Sequence, residues 1–491
     1  MGCKLNRYSV TQLNRLSRNN EIWCFGCGKR FNEMLAIYEN EIFVKKISTI
    51  IDNNSSLWGI KKKVINHDCE IAGSQQIDSC HDKRIILIIT SDHYNEIYES
   101  IADKIKNGNI RVTVYPVYYY SYTKTIMNLC SCISTKRQIL FYAGKEPHDN
   151  ADEIVRYLNR EYQGKKFSIV YLDETSGTDI QNVKHINKYT LKKKNKVQDV
   201  IDYCLAYGCS RYLCYENEAL EKVRDNQVLF YLNHGTIPLK AVSDVLKQST
   251  AVDYGTCPGE GCAEIYANQY GVDVNRQIYM MPARVNKMLC CEKKECGQQV
   301  IVWLPTFRSL EGSDRRDSLE ANPLVGILDY YESLNDFLKL NNQILIIKKH
   351  PREKNNLDVP LTCGNIKIID DRQLEEKGIT LQELLKNVDA LLTDYSGIAF
   401  EYMLLNRPIG YVIFDMDKYV RGFSVKNPYD YMPGMHIKNI DGLKEFLTNL
   451  KLGDDEYYKK RLQLVNQLFG EHAYENGAEK LINFIDSLES K

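Results

Sequence analysis

Residues 228–240 read VLFYLNHGTIPLK, and this stretch indicates the fold more directly than any other part of the chain. The apolar run Val228–Leu232 has the length of a buried β-strand, and a polar turn follows it at once. Similar runs alternate with helical patterns along the chain, which predicts an α/β fold with parallel, doubly wound sheets. His234, Gly235 and Lys240 then lie just past the carboxyl end of a strand, where such sheets bind ligands.

A second segment, residues 344–351, repeats this arrangement with the sequence ILIIKKHP. Lys348, Lys349 and His350 follow four apolar residues, and Pro351 stiffens the turn. Cationic side chains around an imidazole suit an anionic group, so this turn is a candidate phosphate site. The alternative interpretation is a solvated basic turn without a ligand.

Residues 388–397 read VDALLTDYSG and form a third candidate strand end, which carries Asp394, Ser396 and Gly397. Ser396 is a good N-cap for a helix over residues 397–405, and a helix N-terminus favours phosphate groups. Capping alone is the alternative. Two more strand ends or turns supply polar groups: Thr306 and Arg308 follow Trp303, and Arg421 precedes Gly422. Arginine is suited to bidentate phosphate binding.

The alternation divides the chain into three units. We predict a small Rossmann-like α/β module at 1–118, a linker at 119–136, and two further Rossmann-like domains at 137–292 and 293–491, the last with terminal helices. In the first module Gly26-Cys27-Gly28 resembles part of a dinucleotide-binding turn, but Phe31 occupies the third glycine position. Nucleotide binding and a fold that binds nothing both remain open for this module.

Composition excludes several classes of protein. The 491 residues contain 64 Lys+Arg and 64 Asp+Glu, so the overall charge gives no reason to expect a nucleic-acid partner. The N-terminus has no apolar signal region, and no apolar run approaches the length of a membrane span. The 16 Cys are therefore expected to be reduced thiols of a cytoplasmic protein. Their irregular spacing does not favour a structural zinc site.

Taken together, the motifs resemble the CDP-glycerol glycerophosphotransferase family, which includes teichoic-acid primases and polymerases. The resemblance covers roughly residues 138–470 and rests on an ordered set: His-Gly-Thr at 234–236 with Lys240, Pro-Thr-Phe-Arg at 305–308, Lys-His-Pro at 349–351, Thr-Asp-Tyr-Ser at 393–396, Asn-Arg-Pro-Ile at 406–409, Arg421-Gly422 and Pro433-Gly434. The chain departs from the family pattern at Gly397 (usually Ser), at Glu401 (usually Asp) and at residues 281–286.

The resemblance implies a GT-B-like pair of domains and the transfer of a polyol-phosphate from a CDP-activated donor to a hydroxyl of a cell-wall or capsule acceptor, with release of CMP. The donor expected first is CDP-glycerol, with CDP-ribitol as the alternative, and the acceptor is lipid-linked or a glycan at the inner membrane face, where contact would be peripheral. A GT-B glycosyltransferase that uses a nucleotide-sugar is the competing interpretation.

The same resemblance suggests roles for individual residues. His234 is expected to be the general base, and His350 with Lys349 to hold the diphosphate. No cofactor and no obligatory metal are expected. The remaining predicted substrate-binding residues are Gly235, Lys240, Thr306, Arg308, Asp394, Ser396, Gly397, Glu401 and Arg421.

Overall fold

A computed structural model describes residues 8–489 apart from positions 9, 81–82, 92–93, 106–108, 116–135, 145–148, 164–165, 174–179, 181, 188–196, 217–219, 221, 234, 243–251, 291, 294–296, 307–330, 351–362 and 420–421. Nearly all of the predicted linker, and the candidate residues His234, Arg308 and Arg421, lie outside the described residues. Three separate sheets organise the described part of the chain.

The first sheet has six strands in the order β3-β4-β2-β1-β5-β6. All neighbours are parallel except β3 and β4, which form an antiparallel pair at one edge. The strands are β1 Glu21–Phe25, β2 Ile47–Ile51, β3 Lys61–Val64, β4 His67–Ala72, β5 Ile85–Ile89 and β6 Ile110–Val114, and the helices are α1 Val10–Leu16, α2 Lys29–Ile37, α3 Ile42–Lys45 and α4 Tyr94–Ile101.

In the glycine-rich turn at residues 26–28, protein side chains fill the space and bind the backbone amides. Phe31 is fully buried in the core under the sheet. The Asp52 carboxylate, at the end of β2, accepts hydrogen bonds from the Cys27 amide at 3.0 Å and from the Asn54 amide at 2.9 Å. Asp52 therefore stabilises the turn between β1 and α2 in this structure.

The second sheet has seven parallel strands in the order β13-β12-β11-β10-β7-β8-β9. β11 lies inside the sheet, and alternate residues of its apolar run are buried in two different apolar clusters, so both of its faces are covered. The strands are β7 Lys136–Gly144, β8 Ser168–Asp173, β9 Lys184–Asn187, β10 Ser210–Tyr215, β11 Val228–Tyr231, β12 Tyr254–Cys257 and β13 Gln277–Tyr279, and the helices are α5 Asn150–Tyr162, α6 Val197–Cys209, α7 Ala263–Tyr270 and α8 Asn286–Leu289.

The third sheet has six parallel strands in the order β16-β15-β14-β17-β18-β19. One large apolar cluster contains residues of both this sheet and the second, so the two domains share a core. The strands are β14 Gln299–Leu304, β15 Gln343–Lys348, β16 Ile366–Ile369, β17 Ala390–Thr393, β18 Ile409–Val412 and β19 Met435–Ile437, and the helices are α9 Tyr331–Leu340, α10 Asp371–Glu376, α11 Leu381–Asn387, α12 Ile398–Tyr402 and α13 Ile440–Leu452.

Two helices, α14 Tyr458–Phe469 and α15 Gly477–Glu489, end the described chain. The domain boundaries predicted from the sequence assign both helices to the third domain. In the structure Leu481, Ile482 and Ile485 of α15 are buried against the second sheet, so the chain returns to that domain at its end. An amphipathic pattern predicts a buried face but does not say which sheet covers it.

Several residues of the family-like motifs stabilise the fold. Asn406 has a left-handed backbone, with φ of 47°. Its side chain accepts a hydrogen bond at 3.1 Å from Arg461, which is completely buried. Arg407 donates to the Val388 carbonyl at 2.7 Å. The Asn-Arg-Pro-Ile motif therefore fixes the connection between α12 and β18.

Gly434 is required by a close approach of two backbone segments. A Cβ at this position would lie 2.1 Å from the Ile409 carbonyl oxygen, which is far inside van der Waals contact. We expect Gly434→Ala to lower the free energy of unfolding by about 1–3 kcal/mol, because the edge of the third sheet must move. Thermal unfolding measures this, and Gly364→Ala is the control because a Cβ there meets no atom within 4 Å. Equal melting temperatures for both variants would contradict the prediction.

Candidate active site

The segment after β11 crosses from the second domain to the third. Lys240 forms an isolated antiparallel β-bridge with Phe423. The Ala241 amide donates to the Gly422 carbonyl at 3.1 Å, and the Ser424 amide donates to the Leu239 carbonyl at 2.9 Å. Residues 235–241 are therefore part of the joint between the two domains, at the carboxyl end of the second sheet.

Three of the predicted substrate-binding residues meet at this joint. The Lys240 ammonium donates to the Thr306 hydroxyl at 3.1 Å. Thr306 in turn donates to Asp394 twice, from its amide at 2.9 Å and from its hydroxyl at 2.5 Å. Thr306 and Asp394 are buried, and they lie at the adjacent ends of β14 and β17. The arrangement places a lysine beside the strand ends of the third sheet.

Residues Asn233 and Gly235 hold the chain on both sides of position 234. Asn233 has a left-handed backbone, with φ of 56°, which asparagine tolerates better than most residues. Its side chain donates to the Gly235 carbonyl at 3.0 Å and to the Tyr266 hydroxyl at 2.9 Å. The Asn150 side chain donates to the Asn233 carbonyl at 2.9 Å. The residues on both sides of position 234 are thus held by side-chain hydrogen bonds within the second domain.

Glu401 lies in a buried polar chain that joins the two domains. Its Oε1 accepts from the Thr236 hydroxyl at 2.6 Å and from Arg284 at 2.5 Å. Arg284 also donates to Asp149 at 2.5 Å. Burial opposes the charge of Arg284, but the carboxylates of Glu401 and Asp149 outweigh burial and raise the pKa of this side chain above its ordinary value. The guanidinium therefore stays charged.

Gly397, and not Ser396, is the N-cap residue of α12. The helix begins at Ile398, and the distance of 3.5 Å from its amide to the Ser396 hydroxyl makes only a weak contact. A Cβ on Gly397 would lie 3.0 Å from the Ile237 carbonyl oxygen. The glycine therefore lets α12 approach the segment after β11. The prediction that Ser396 is the N-cap residue is wrong, because Gly397 occupies that position.

The second histidine turn lies at the end of β15. The Lys349 amide donates to the Ile369 carbonyl at 2.9 Å, which extends the pairing of β15 and β16. Lys349 and His350 are half-buried, whereas Lys348 is buried and forms an ion pair with Asp371 at 2.6 Å. Lys348 is therefore a structural residue, and Lys349 and His350 are the candidates for binding an anion.

Some residues at the joint were not predicted from the sequence. They are Asp149, Asn150, Tyr266 and Arg284, and each lies outside the strand-end motifs. A weak signal exists for Arg284, because residues 281–286, which read MPARVN, stand where the family resemblance implies a Gly-x-Pro-Arg-x-Asp segment. Within the described ranges, no group of three or more His, Cys, Asp or Glu side chains is arranged to hold a metal ion. In the same residues no helix is long and apolar enough to span a membrane.

The chain is similar in sequence to one protein family and to several of its members. Residues 124–487 match the model of the family described as CDP-Glycerol:Poly(glycerophosphate) glycerophosphotransferase. The teichoic acid glycerol-phosphate primase of Bacillus subtilis (strain 168) is 21% identical over 367 residues, which is 69% of this chain and 89% of the primase. The teichoic acid poly(ribitol-phosphate) polymerase of Bacillus spizizenii is 28% identical over 206 residues, which is 39% of this chain and 31% of the polymerase.

Solved structures show the same fold. The structure of the wall teichoic acid polymerase TagF superimposes with a TM-score of 0.56 and 20% identity, covering 74% of this chain and 92% of that chain. The predicted GT-B-like architecture is confirmed by this match. Since the family match covers most of the chain, the protein belongs to the CDP-glycerol:poly(glycerophosphate) glycerophosphotransferase family and is an enzyme of that kind.

Proposed function

We propose that this enzyme transfers a polyol-phosphate, with glycerol-phosphate as the first candidate, from a CDP-activated donor to a hydroxyl group of a teichoic-acid acceptor. The observation that carries the proposal is the family match over 124–487, because this region includes both parallel sheets and the joint between them. Relatives named for glycerol-phosphate and for ribitol-phosphate both resemble this chain. The polyol is therefore the property to be tested first.

In the proposed reaction the acceptor hydroxyl oxygen attacks the phosphorus that bears the polyol. The bond from this phosphorus to the oxygen that bridges the two phosphates breaks, and CMP leaves with the electron pair. The hydroxyl proton passes to the His234 imidazole, whose usual pKa near neutrality suits a general base. Phosphoryl transfer depends mainly on positioning and on stabilising negative charge.

The donor phosphates are assigned to the side of the third domain. Lys349 and His350 follow β15, and Lys240 reaches the ends of β14 and β17 through Thr306. These positions would place positive charge around the diphosphate and stabilise departing CMP. Arg308 and Arg421 are assigned to the same anion site on the basis of the family-like motifs. Ser396 and the Gly397 amide complete it in this proposal, and no metal ion is required.

The acceptor is proposed to be lipid-linked and to lie at the inner face of the membrane, with the enzyme bound peripherally. This assignment follows from the resemblance to the glycerophosphotransferase family, several relatives of which are named for teichoic acid. Capsule polymers are the alternative class of product. A sedimentation assay with vesicles that carry the acceptor, compared with vesicles that lack it, separates acceptor-dependent from general membrane binding.

Donor screening tests the proposed function. The enzyme is incubated with CDP-glycerol, CDP-ribitol and UDP-sugars, each with a polyol-phosphate-primed acceptor, and the released nucleotide is identified. We expect CMP from CDP-glycerol, at a rate that a chelator does not change. Faster release from CDP-ribitol would reassign the polyol, and release of UDP with no CMP would contradict the proposal.

A further inference from the structure

We propose that Thr236, Glu401 and Arg284 are positioning residues, which form an interdomain latch that holds the turn carrying His234 in its reactive place. This inference rests on the proposed function, since it concerns the same turn. It adds a role for three buried residues, of which Thr236 and Arg284 both bond to Glu401: Thr236 is 0% exposed, Glu401 1% and Arg284 8%. The name "latch" refers to these three side chains and Asp149.

The latch connects four separate parts of the chain. Asp149 is the N-cap residue of α5, and Arg284 lies in a 3-10 turn before α8. Glu401 lies in α12 of the third domain, and Thr236 follows the turn after β11. The hydrogen bond from Thr236 to Glu401 therefore joins the second domain to the third, two residues beyond His234.

Buried charge is a poor source of stability, so its presence here calls for another explanation. Taking ions out of water costs free energy that their mutual attraction often does not recover, so well-packed apolar residues would stabilise the fold as well or better. In some proteins buried ionic groups instead fix one arrangement of the chain. Glu401 directs one oxygen, Oε1, to both Thr236 and Arg284. Its other oxygen, Oε2, has no hydrogen-bond donor among the described residues. The hydrogen bonds from Thr236 and Arg284 therefore set the orientation of the Glu401 carboxylate.

The remaining contacts of the turn depend on the second domain. Tyr266 donates to the carbonyls of Gly235 and Thr236, and Asn233 donates to Tyr266. These bonds fix the turn within its own domain. The Thr236 hydroxyl bonds to Glu401 of the third domain. This bond therefore fixes the position of the turn relative to the third domain, to which the donor phosphates are assigned. Loss of this bond should slow the reaction without weakening donor binding.

The test compares Thr236→Val, Glu401→Met and the double variant with the full-length wild-type enzyme. After either single change Arg284 keeps Asp149 as its ionic partner. We expect each single variant to lower kcat for CMP release by roughly 10- to 100-fold, with the KM for CDP-glycerol unchanged, because the turn is misplaced. The double variant should be as slow as Glu401→Met alone, because that change already removes the hydrogen bond lost in Thr236→Val, together with the bond to Arg284. Thr236→Ser and Glu401→Gln keep that bond and should retain most of the activity.

Thr90→Val is the matched control, because Thr90 is also buried and its hydroxyl donates to the Phe25 carbonyl at 3.0 Å in the first module. Melting temperatures are measured for all variants, and each single variant changes a different domain, so one remains informative if the other does not fold. Folded Thr236→Val enzyme with wild-type kcat, or a double variant whose loss is the product of the two single losses, would overturn the inference. Wild-type enzyme that releases no CMP from any donor would instead overturn the proposed function, and the inference with it.

Discussion

The variant His234→Ala is expected to lower kcat for polyol-phosphate transfer by roughly 10²- to 10⁴-fold, which is the usual contribution of a general base. An acceptor hydroxyl is a weak nucleophile at neutral pH, so it needs a base placed next to it. The residues on both sides of position 234 are held by hydrogen bonds through Asn233, Gly235 and Tyr266. The KM for CDP-glycerol should stay unchanged, since the base acts on the acceptor.

Initial rates of CMP release at saturating donor and acceptor measure this effect. His67→Ala is the control, because His67 lies in β4 of the first module and its Nε2 is 2.7 Å from the Ile47 carbonyl oxygen. Wild-type kcat in folded His234→Ala enzyme would show that another group takes the proton. A loss confined to the KM for the acceptor would assign His234 to binding instead.

The variant His350→Ala is expected to raise the KM for CDP-glycerol and to lower kcat by roughly 10²- to 10³-fold. The change removes a hydrogen-bonding group from the place where negative charge develops on the phosphates. His350 follows β15 and is half-buried beside Lys349. In the proposed mechanism it contacts the diphosphate both before and during departure of CMP. Binding and chemistry should therefore both suffer, in contrast to His234→Ala.

Equilibrium binding of CDP-glycerol and the rate of CMP release separate these two effects. His436→Ala is a matched control in the same domain, since His436 is half-buried and its Nε2 is 3.1 Å from the Met432 carbonyl oxygen. Donor affinity and kcat that match the wild-type values would remove His350 from the donor site. A change in the acceptor KM alone would assign His350 to acceptor binding.

The strands that position the site could be predicted because their sequences are continuous apolar runs. Residues 228–232 and 344–347 were expected as strands, and β11 and β15 contain them almost entirely. The largely apolar residues 44–51 predict one strand, and this prediction is wrong at its start: Ile42–Lys45 is a short helix and β2 begins at Ile47. A short apolar run does not distinguish these two structures.

The antiparallel pair β3 and β4 was not predicted, because β3 is a charged strand at the edge of the sheet. Lys61, Lys62 and Lys63 form an edge strand with little apolar pattern. Charged edge strands prevent pairing with other chains, but they give a weak sequence signal. The mixed arrangement of the first sheet was therefore visible only in the structure.

At the site, residue types at strand ends could be predicted, whereas their partners could not. Lys240, Thr306 and Asp394 were each selected from separate motifs, and the structure brings them together. Glu401 was expected to contact substrate, whereas the structure shows it bonded to Thr236 and Arg284. Contacts between residues more than 100 positions apart depend on how two domains pack, which a local pattern does not encode.

The most direct test of the central claim follows the polyol and its phosphorus from donor to acceptor. CDP-glycerol labelled with ³²P on the phosphate next to glycerol is incubated with the enzyme and a glycerol-phosphate-primed acceptor, and the products are separated. The account predicts that each acceptor gains labelled phosphate together with glycerol, while an equal amount of unlabelled CMP is released. Label retained in released CDP, or glycerol transferred without the labelled phosphate, would contradict attack at that phosphorus and the family assignment of the reaction.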